Sequence, residues 1–288
     1  FLLDNLNNFN IPLILLAIII GIGEGIFWLA YNIDFSLFSD KVHRGEEIKF
    51  WFVAASLIGI LGPFLGGFLL SFFNQRILFI IVIIFLILAA FPLLKAKELR
   101  VEYSISLKEI FRKENFENSH RYFNQGFRHF VEGILWPIFI FYFIEDYFSL
   151  GAIFAGSAIF TSFALWFIGN EIDKFDRKIF TDLSTLIEGV ISFARIFVSS
   201  LQQILSVTIL GGIVSNSSEI SANALAYDQV NKKHIVGFFI FREFLFTISR
   251  ILIILILLFS GLSIIPSIKL GFILLGASEI LQRFIHKN

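Results

Sequence analysis

Nine long apolar stretches, each of about 18 to 25 residues and joined by short polar loops, run between Pro12 and Ile285. Such a run matches the hydrocarbon thickness of a bilayer, roughly 20 helical residues at about 1.5 Å rise. Backbone groups inside lipid must pair within the chain, so helices are the economical spanning form, and the length of each run argues against strands. The expected spans are 11–31, 50–71, 77–94, 126–144, 148–169, 180–200, 203–226, 234–259 and 263–285. The chain therefore reads as all-α, a polytopic transmembrane helical bundle with the lipid bilayer as its solvent. Composition agrees. It is 57% hydrophobic and 16% charged, with mean hydropathy +0.82, and nine spans in 288 residues leave no soluble domain of useful size.

Several chemistries are excluded early. The chain has no Cys, which removes disulfides, thiolate metal sites and cysteine nucleophiles. His43, His120, His129, His234 and His286 are scattered through loops and helix ends without metal-ligand spacing, so no metal is expected. The run Gly21-Ile22-Gly23-Glu24-Gly25 lies inside a span with no preceding strand and reads as packing glycine, not a phosphate loop. There is no Walker sequence and no convergent nucleophile–base set, so no cofactor, catalytic residue or enzymatic activity is expected. Segment 105–121 is mildly amphipathic with mixed charge and is expected to be an interfacial helix, not a nucleic-acid site. A monomer is expected.

The basic residues set the orientation. Lys41, Arg44, Arg112, Lys113, Lys174, Arg177, Lys178, Lys232 and Lys233 fall in alternate loops, whereas the opposite loops and flanks offer little beyond Arg76 and Lys269. By the positive-inside rule the C-terminus is cytoplasmic, and nine spans then place residue 1 outside. The chain opens on Phe1 and contains no Met, so it is read as a fragment; three further upstream helices would return the start to the cytoplasm and make twelve. High Ile, Phe, Lys and Asn usage points to an AT-rich microbial genome, hence a prokaryotic cytoplasmic membrane.

Two motifs then carry a resemblance. Gly169-Asn170-Glu171-Ile172-Asp173-Lys174-Phe175-Asp176-Arg177-Lys178 resembles the loop signature G-x-x-x-D-R/K-x-G-R-R/K, with Asp176 where Gly is usual. Gly62-Pro63-Phe64-Leu65-Gly66-Gly67 resembles the end of the helix 5 motif of proton-coupled exporters, although Lys49 and Ile58 occupy the places of its upstream glycines. Together with the span pattern, these motifs resemble the major facilitator superfamily. The resemblance implies a major-facilitator-like bundle, with nine spans present of an expected twelve, matching family helices 4 through 12. It divides the chain into a partial N-terminal half (1–94), a cytoplasmic connector (95–121) and a six-helix C-terminal half (122–288). Leu29-Ala30-Tyr31-Asn32 and Leu225-Ala226-Tyr227-Asp228 form a short internal echo at pseudo-equivalent helices. The implied function is secondary active transport of a small organic solute by alternating access, with protons as coupling partner and export as direction. Uptake or uniport is the alternative, and a membrane enzyme or lipid-handling scaffold is the rival from another class.

Charges inside the spans need a reason, since each costs about 2.5–3.5 kcal/mol near the bilayer centre. Glu188 and Arg195 sit seven apart on one helix face, where each is expected to pair with some nearby group. Arg242 and Glu243 are expected to snorkel, and Glu279 to be interfacial. Arg250 lies deep in its span and needs a carboxylate or backbone partner, or a wet cavity. The resemblance places Glu24, Glu132 and Glu219 on cavity-lining helices, as proton-coupling candidates beside Arg250, against a reading of purely structural interhelix bonds. Trp136 is either a substrate-contacting aromatic or ordinary packing. Asn216, in the run Ser215-Asn216-Ser217-Ser218, is either a substrate hydrogen-bonder or helix glue. Trp28, Trp51 and Trp166 read as interfacial belt residues. In the loop of Gly169, Asp173 would face the N-terminal end of family helix 5 near Phe50 and Trp51, and Lys174, Arg177 and Lys178 would pair across the two halves as a gate. Pro63 would kink its helix, with Gly62, Gly66 and Gly67 at a helix–helix contact.

Overall fold

The computed structural model describes residues 13–39, 44–95, 106–172, 177–230 and 234–285. Among these, nine long helical rods follow one another. They are α1 (Leu13–Phe38), α2 (Arg44–Phe72), α3 (Gln75–Lys95), a rod built of α5 (Ser119–Phe130), a π-helical turn (Val131–Leu135) and α6 (Trp136–Ile144), α7 (Tyr147–Ile172), α8 (Arg177–Arg195), α9 (Leu201–Gln229), α10 (Ile235–Phe259) and α11 (Ile264–Ile285). Among the described residues between α3 and α5 lie the single turn α4 (Leu107–Ile110) and a 3₁₀ turn (Lys113–Phe116). No strand occurs among the described residues.

Six of the rods are long and apolar enough to cross a membrane: those containing 18–38, 53–72, 75–92, 119–144, 147–167 and 264–283. The other three are α8, α9 and α10. They carry the in-span charges Glu188, Arg195, Glu219, Arg242, Glu243 and Arg250 and, on α9, the polar run 215–218.

Two expectations are corrected here. The fourth rod starts at Ser119, not at residue 126, so Arg121, Asn124 and Gln125 share one helix with Arg128 and His129. Arg121, Asn124, Gln125 and Arg128 are each buried. Segment 105–121 is not one interfacial helix. Ser106 caps α4 by accepting from the Glu109 amide at 3.2 Å, and the Asn115 side chain donates to the Ile110 carbonyl at 2.9 Å, folding the chain back after one turn. Phe111 and Phe116 then stack edge-on or tilted against Phe241 of α10, which fixes the segment to the bundle.

Local rules set the helix ends. Asn74 caps α3 through the Ile77 amide at 3.1 Å, and Ser200 caps α9 through the Gln203 amide at 3.3 Å. Glu145 closes α6 in the left-handed region at φ 56°, its amide bonded to the Phe141 carbonyl at 2.7 Å. Asp146 then opens α7 by accepting from the Ser149 amide at 2.7 Å, and this bond holds its carboxyl below the usual aspartate range.

Packing depends on backbone contact at chosen glycines. α2 lies along α7, where a Cβ on Gly67 would sit 2.6 Å from the Tyr147 carbonyl oxygen and 3.3 Å from Gly151 Cα. Gly151 returns the contact against the Pro63 carbonyl. Gly62 and Gly66, by contrast, have nothing within 4 Å of an added Cβ. Two apolar clusters complete the interior. One joins α1, α2, α9 and α10 around Tyr227, Phe239 and Ile220. The other joins the fourth rod, α7, α9, α10 and α11 around Trp136, Phe139, Ile140 and Phe272. Ile80 and Val82–Leu88 of α3 are exposed around the whole rod and present the apolar surface expected of a lipid-facing helix.

Candidate functional site

A cavity of about 850 Å³ opens between α1 and α2 on one side and the fourth rod, α9 and α10 on the other. Its polar wall contains Glu24, His129, Glu132, Ser215, Asn216, Glu219, Asn223, Arg242, Glu243 and Arg250. Trp28, Tyr31, Phe35, Trp51, Tyr227 and Phe246 supply aromatic wall. Residues far apart in the sequence thus converge because their helices cross at one depth.

Glu132 sits inside the π-helical turn Val131–Leu135. Pro137, two residues beyond that turn, has no amide hydrogen and cannot complete the regular ladder, and a π turn is one way a helix absorbs such an interruption. The Glu132 carboxylate accepts from Arg195 Nη2 at 2.7 Å and from the Ser215 hydroxyl. The same Arg195 nitrogen lies 3.3 Å from Glu188, whose side chain is fully buried. One guanidinium on α8 therefore faces two carboxylates, one on the cavity wall and one behind it.

Glu219 on α9 holds a second cluster. It accepts from Arg128 Nη2 at 3.0 Å, from Asn223 Nδ2 at 3.2 Å and from the Gln125 amide. Arg128 Nη1 also donates to Ser218 at 3.0 Å and lies 3.6 Å from Glu279, which is 1% exposed. His129 Nε2 lies 3.3 Å from Glu219, while its Nδ1 receives Arg250 Nη2 at 3.3 Å. Arginine has only donors, so Nδ1 must be the accepting nitrogen and the ring proton sits on Nε2, facing Glu219. The imidazole is a bridge between a cavity-facing guanidinium and the Glu219 carboxylate.

The α1 side is different in kind. Glu24 has no hydrogen-bond or ion-pair partner among the described residues and is exposed to the cavity. Trp28, Tyr31 and Trp51 meet in a corner with ring centroids 5.7 to 6.3 Å apart. Tyr227 donates to Asn32 Oδ1 at 2.6 Å, and the Asn32 amide donates to the Trp28 carbonyl at 2.6 Å, so the two copies of the internal echo touch each other.

Glu24, Glu132, Glu219, Arg250 and Asn216 all line this cavity, and the Asn216 amide is tied to the Gly212 carbonyl at 2.7 Å. Trp136 does not line it. In a regular helix, residue 136 shares the face of Glu132, but the intervening π turn shifts the register and turns the indole inward. There Trp136 is 3% exposed, donates to Thr208 at 3.2 Å, stacks on Phe139 and has Arg195 over its ring.

Four further expectations are corrected by the geometry. Glu279 is buried against Arg128, not interfacial. Arg242 does not snorkel; it is 4% exposed, 3.4 Å from Asn223 and from Glu243, and lies over Phe239 and Phe246. Trp28 and Trp51 are cavity wall, not belt residues. His129 is in mid-rod, not at a helix end.

Of the loop motif, Asp173 and Lys174 lie outside the described residues. Gly169 falls in the last turn of α7, Arg177 opens α8, and Lys178 is exposed on it. α2 begins at Arg44, so Phe50 and Trp51 are not at its N-terminal end. No group of three His, Asp or Glu side chains among the described residues is placed to hold a metal ion.

The Major Facilitator Superfamily model matches residues 1–116. A protein of Bacillus subtilis (strain 168), described as "Uncharacterized protein YqgE", is 27% identical over 197 residues. That alignment takes in 64% of this chain and 44% of the relative, so the chain spans less than half the length of the curated protein it matches. No solved structure matches the chain. The matched segment carries α1, α2 and α3 and ends in the turns beyond them, so the similarity to the Major Facilitator Superfamily lies in the first 116 residues.

Proposed function

We propose that this protein is a secondary active transporter that moves a small organic solute by alternating access, with proton coupling and export as its direction. The observation that carries this reading is the cavity itself, walled by helices from both ends of the chain and lined with carboxylates that face arginine or histidine across helix boundaries. Two helical groups meeting around a polar, wet space are what a rocking mechanism needs, because interfaces of this kind have alternative packings separated by a few kcal/mol. The export direction draws support from the resemblance of Gly62–Gly67 to the helix 5 motif. The contact of Gly67 and Pro63 with α7 is the physical counterpart of that motif here.

Proton coupling draws support from the Glu219–His129–Arg250 series. A proton delivered to His129 Nδ1 would set donor against donor and release Arg250 into the cavity, whereas a proton on Glu219 would weaken its hold on Arg128. Either event changes which charges the cavity presents to a solute. Glu132, held by Arg195, is the second coupling candidate, and Glu24 the third.

The test is flux in liposomes with and without a pH gradient, on the wild type and on Glu24→Gln, Glu132→Gln and Glu219→Gln. A gradient-dependent flux lost in at least one variant is expected. Flux that ignores the gradient, or is unchanged in all three variants, rejects the coupling scheme.

A further inference from the structure

Behind the cavity wall, the fourth rod, α8, α9 and α11 pack around an axis that is polar. Three of them turn buried polar side chains inward at helical spacing: Gln125 and Arg128 on the fourth rod, Thr181 and Thr185 on α8, Glu279 and Gln282 on α11. Helices in lipid ordinarily close such an axis with apolar or small residues. Here it encloses a void of about 10 Å³ that shares no lining residue with the large cavity. That is about the smallest space that takes one water.

Two residues that line the void carry polar atoms without a bond. Glu279 is buried, and neither of its carboxylate oxygens has a hydrogen-bond partner among the described residues; Arg128 Nη1, at 3.6 Å, is beyond bonding distance. Arg128 Nε is buried in the same state, although Nη1 donates to Ser218 and Nη2 to Glu219. Buried groups of this kind are nearly always bonded, and the surroundings select the partner. A cation would meet the guanidiniums of Arg121 and Arg128, and an anion would meet Glu279. A water can accept from Arg128 Nε while it donates to Glu279.

Polar side chains continue from the void to one end of the bundle. Asn124 bonds Gln282 at 2.7 Å, and farther along Arg121 bonds Asp182, whose side chain is 24% exposed. There the fourth rod and α8 begin and α11 finishes, the end expected in the cytoplasm from its basic loops. Charge also argues for a proton at this site. Arg128 faces Glu219 on the cavity wall and Glu279 behind it, and one guanidinium neutralises only one of the two. The other charged groups that act on Glu279 are Arg121, which lines the same void, and Glu132; α8 and α9 offer hydroxyls there.

From this arrangement we propose that Glu279 is a proton-exchange site inside the C-terminal bundle, served by a water in the void and reached from the Asp182 end, not from the central cavity. Its carboxylate takes the proton of a hydronium ion that enters along this route, leaves a water behind, and returns the proton the same way. Because Glu279 shares Arg128 with Glu219, its state sets how firmly Arg128 holds the cavity wall. That link rests on the proton-coupling reading above, whereas the exchange site stands without it.

Infrared difference spectroscopy of the purified protein in detergent, between acid and alkaline buffer, tests the site. Wild type is expected to show a protonated-carboxyl stretch that is lost in Glu279→Gln and returns, shifted in frequency, in Glu279→Asp. Transfer to heavy water should shift that band promptly. Ala222→Leu, which fills the void, should slow the shift several-fold without removing the band; Gln282→Leu, which closes the route farther out, does the same should the first variant not fold. A spectrum with no band lost in Glu279→Gln, a band that shifts in heavy water only on unfolding, or exchange as fast as wild type in both blocking variants each overturn the proposal. Flux in liposomes tests the link, and Glu279→Gln should flatten its dependence on pH at the Asp182 side. Unaltered pH dependence in that variant overturns the link through Arg128. A normal band in a wild type that shows no flux of any kind supports the exchange site and sinks the transport reading instead.

Discussion

Arg195 stands between Glu132 and Glu188, and its removal discriminates two views of what the buried charges do. At 2.7 and 3.3 Å, with an effective dielectric constant of about 20, the Coulomb terms with both carboxyls ionised would be about 6 and about 5 kcal/mol. By pair distance alone, Glu132 is the more important partner. Desolvation reverses that order. The Glu132 side chain is 21% exposed on the cavity wall and can be rehydrated when the guanidinium is lost, whereas Glu188 is 0% exposed and cannot. Removing one partner of a buried pair costs about 3–5 kcal/mol, most of it from the stranded charge. Arg195→Met should therefore lower thermal stability in detergent by roughly 10 °C, taking about 2–4 °C per kcal/mol for a chain of this size. Adding Glu188→Gln should restore most of the loss, and adding Glu132→Gln only a small part. Thermal unfolding of the four proteins under identical detergent conditions is the assay. Greater rescue by Glu132→Gln, or an Arg195→Met protein that melts within a degree of wild type, would refute the argument that burial and not distance decides.

Gly67→Leu should destabilise the α2–α7 pair by about 1–3 kcal/mol or more, since its first added carbon meets the Tyr147 carbonyl. Gly62→Ala, which meets nothing, should be nearly silent; melting curves of the two variants check the contrast. Asp173→Asn, in the loop motif, should slow transport with less effect on solute affinity, and is tested by flux together with cytoplasmic cysteine accessibility in this cysteine-free chain. The Asp146 cap contributes stability above the ordinary aspartate range and should lose it as pH falls through its lowered value. Hydrogen exchange at the start of α7 should accelerate there, and in Asp146→Ala should already be fast at neutral pH.

The sequence announced the rods because span length and helix composition are local properties. It also pointed to the lining carboxylates, since an ionisable group in a long apolar run has few places to go. It misjudged the residues whose role depends on a partner outside their own helix. Glu279 looked interfacial from its distance to the chain end, yet Arg128 on another rod holds it inside. Residues 121–125 fall outside the expected span, and His129 at a helix end, because polar sequence at the start of the fourth rod does not look like membrane; partners on α8, α9, α10 and α11 hold these side chains inside. For Trp136 the sequence leaves substrate contact and packing both open, and the π turn decides for packing by shifting the register. A signal for that turn was present in Pro137, where the ladder must be interrupted. Trp28 and Trp51 were read by depth, a rule for lipid-facing residues, when rotation about the helix had turned them to the cavity.

The contact of Tyr227 with Asn32 joins α1, near one end of the chain, to α9, near the other, and it can be cut without touching the rest. Asn32 is 3% exposed, and its oxygen accepts from the Tyr227 hydroxyl at 2.6 Å. Tyr227→Phe keeps the ring, and with it the 4.9 Å centroid contact to Phe35, so apolar packing survives while the hydrogen bond to Asn32 is lost. A buried acceptor left unpaired costs about 1–3 kcal/mol. If α1 and α9 move apart in the transport cycle, that cost falls on the state in which they touch, and the equilibrium shifts by about 5- to 150-fold. Spin labels on cysteines placed at exposed Phe38 of α1 and Leu183 of α8, the helix packed on α9, read the separation directly. The variant should gain a longer-distance population absent or minor in the wild type. An unchanged distance distribution, together with a melting temperature lowered by the cost of the lost bond, would mean that the contact stabilises a single arrangement and plays no part in switching between two.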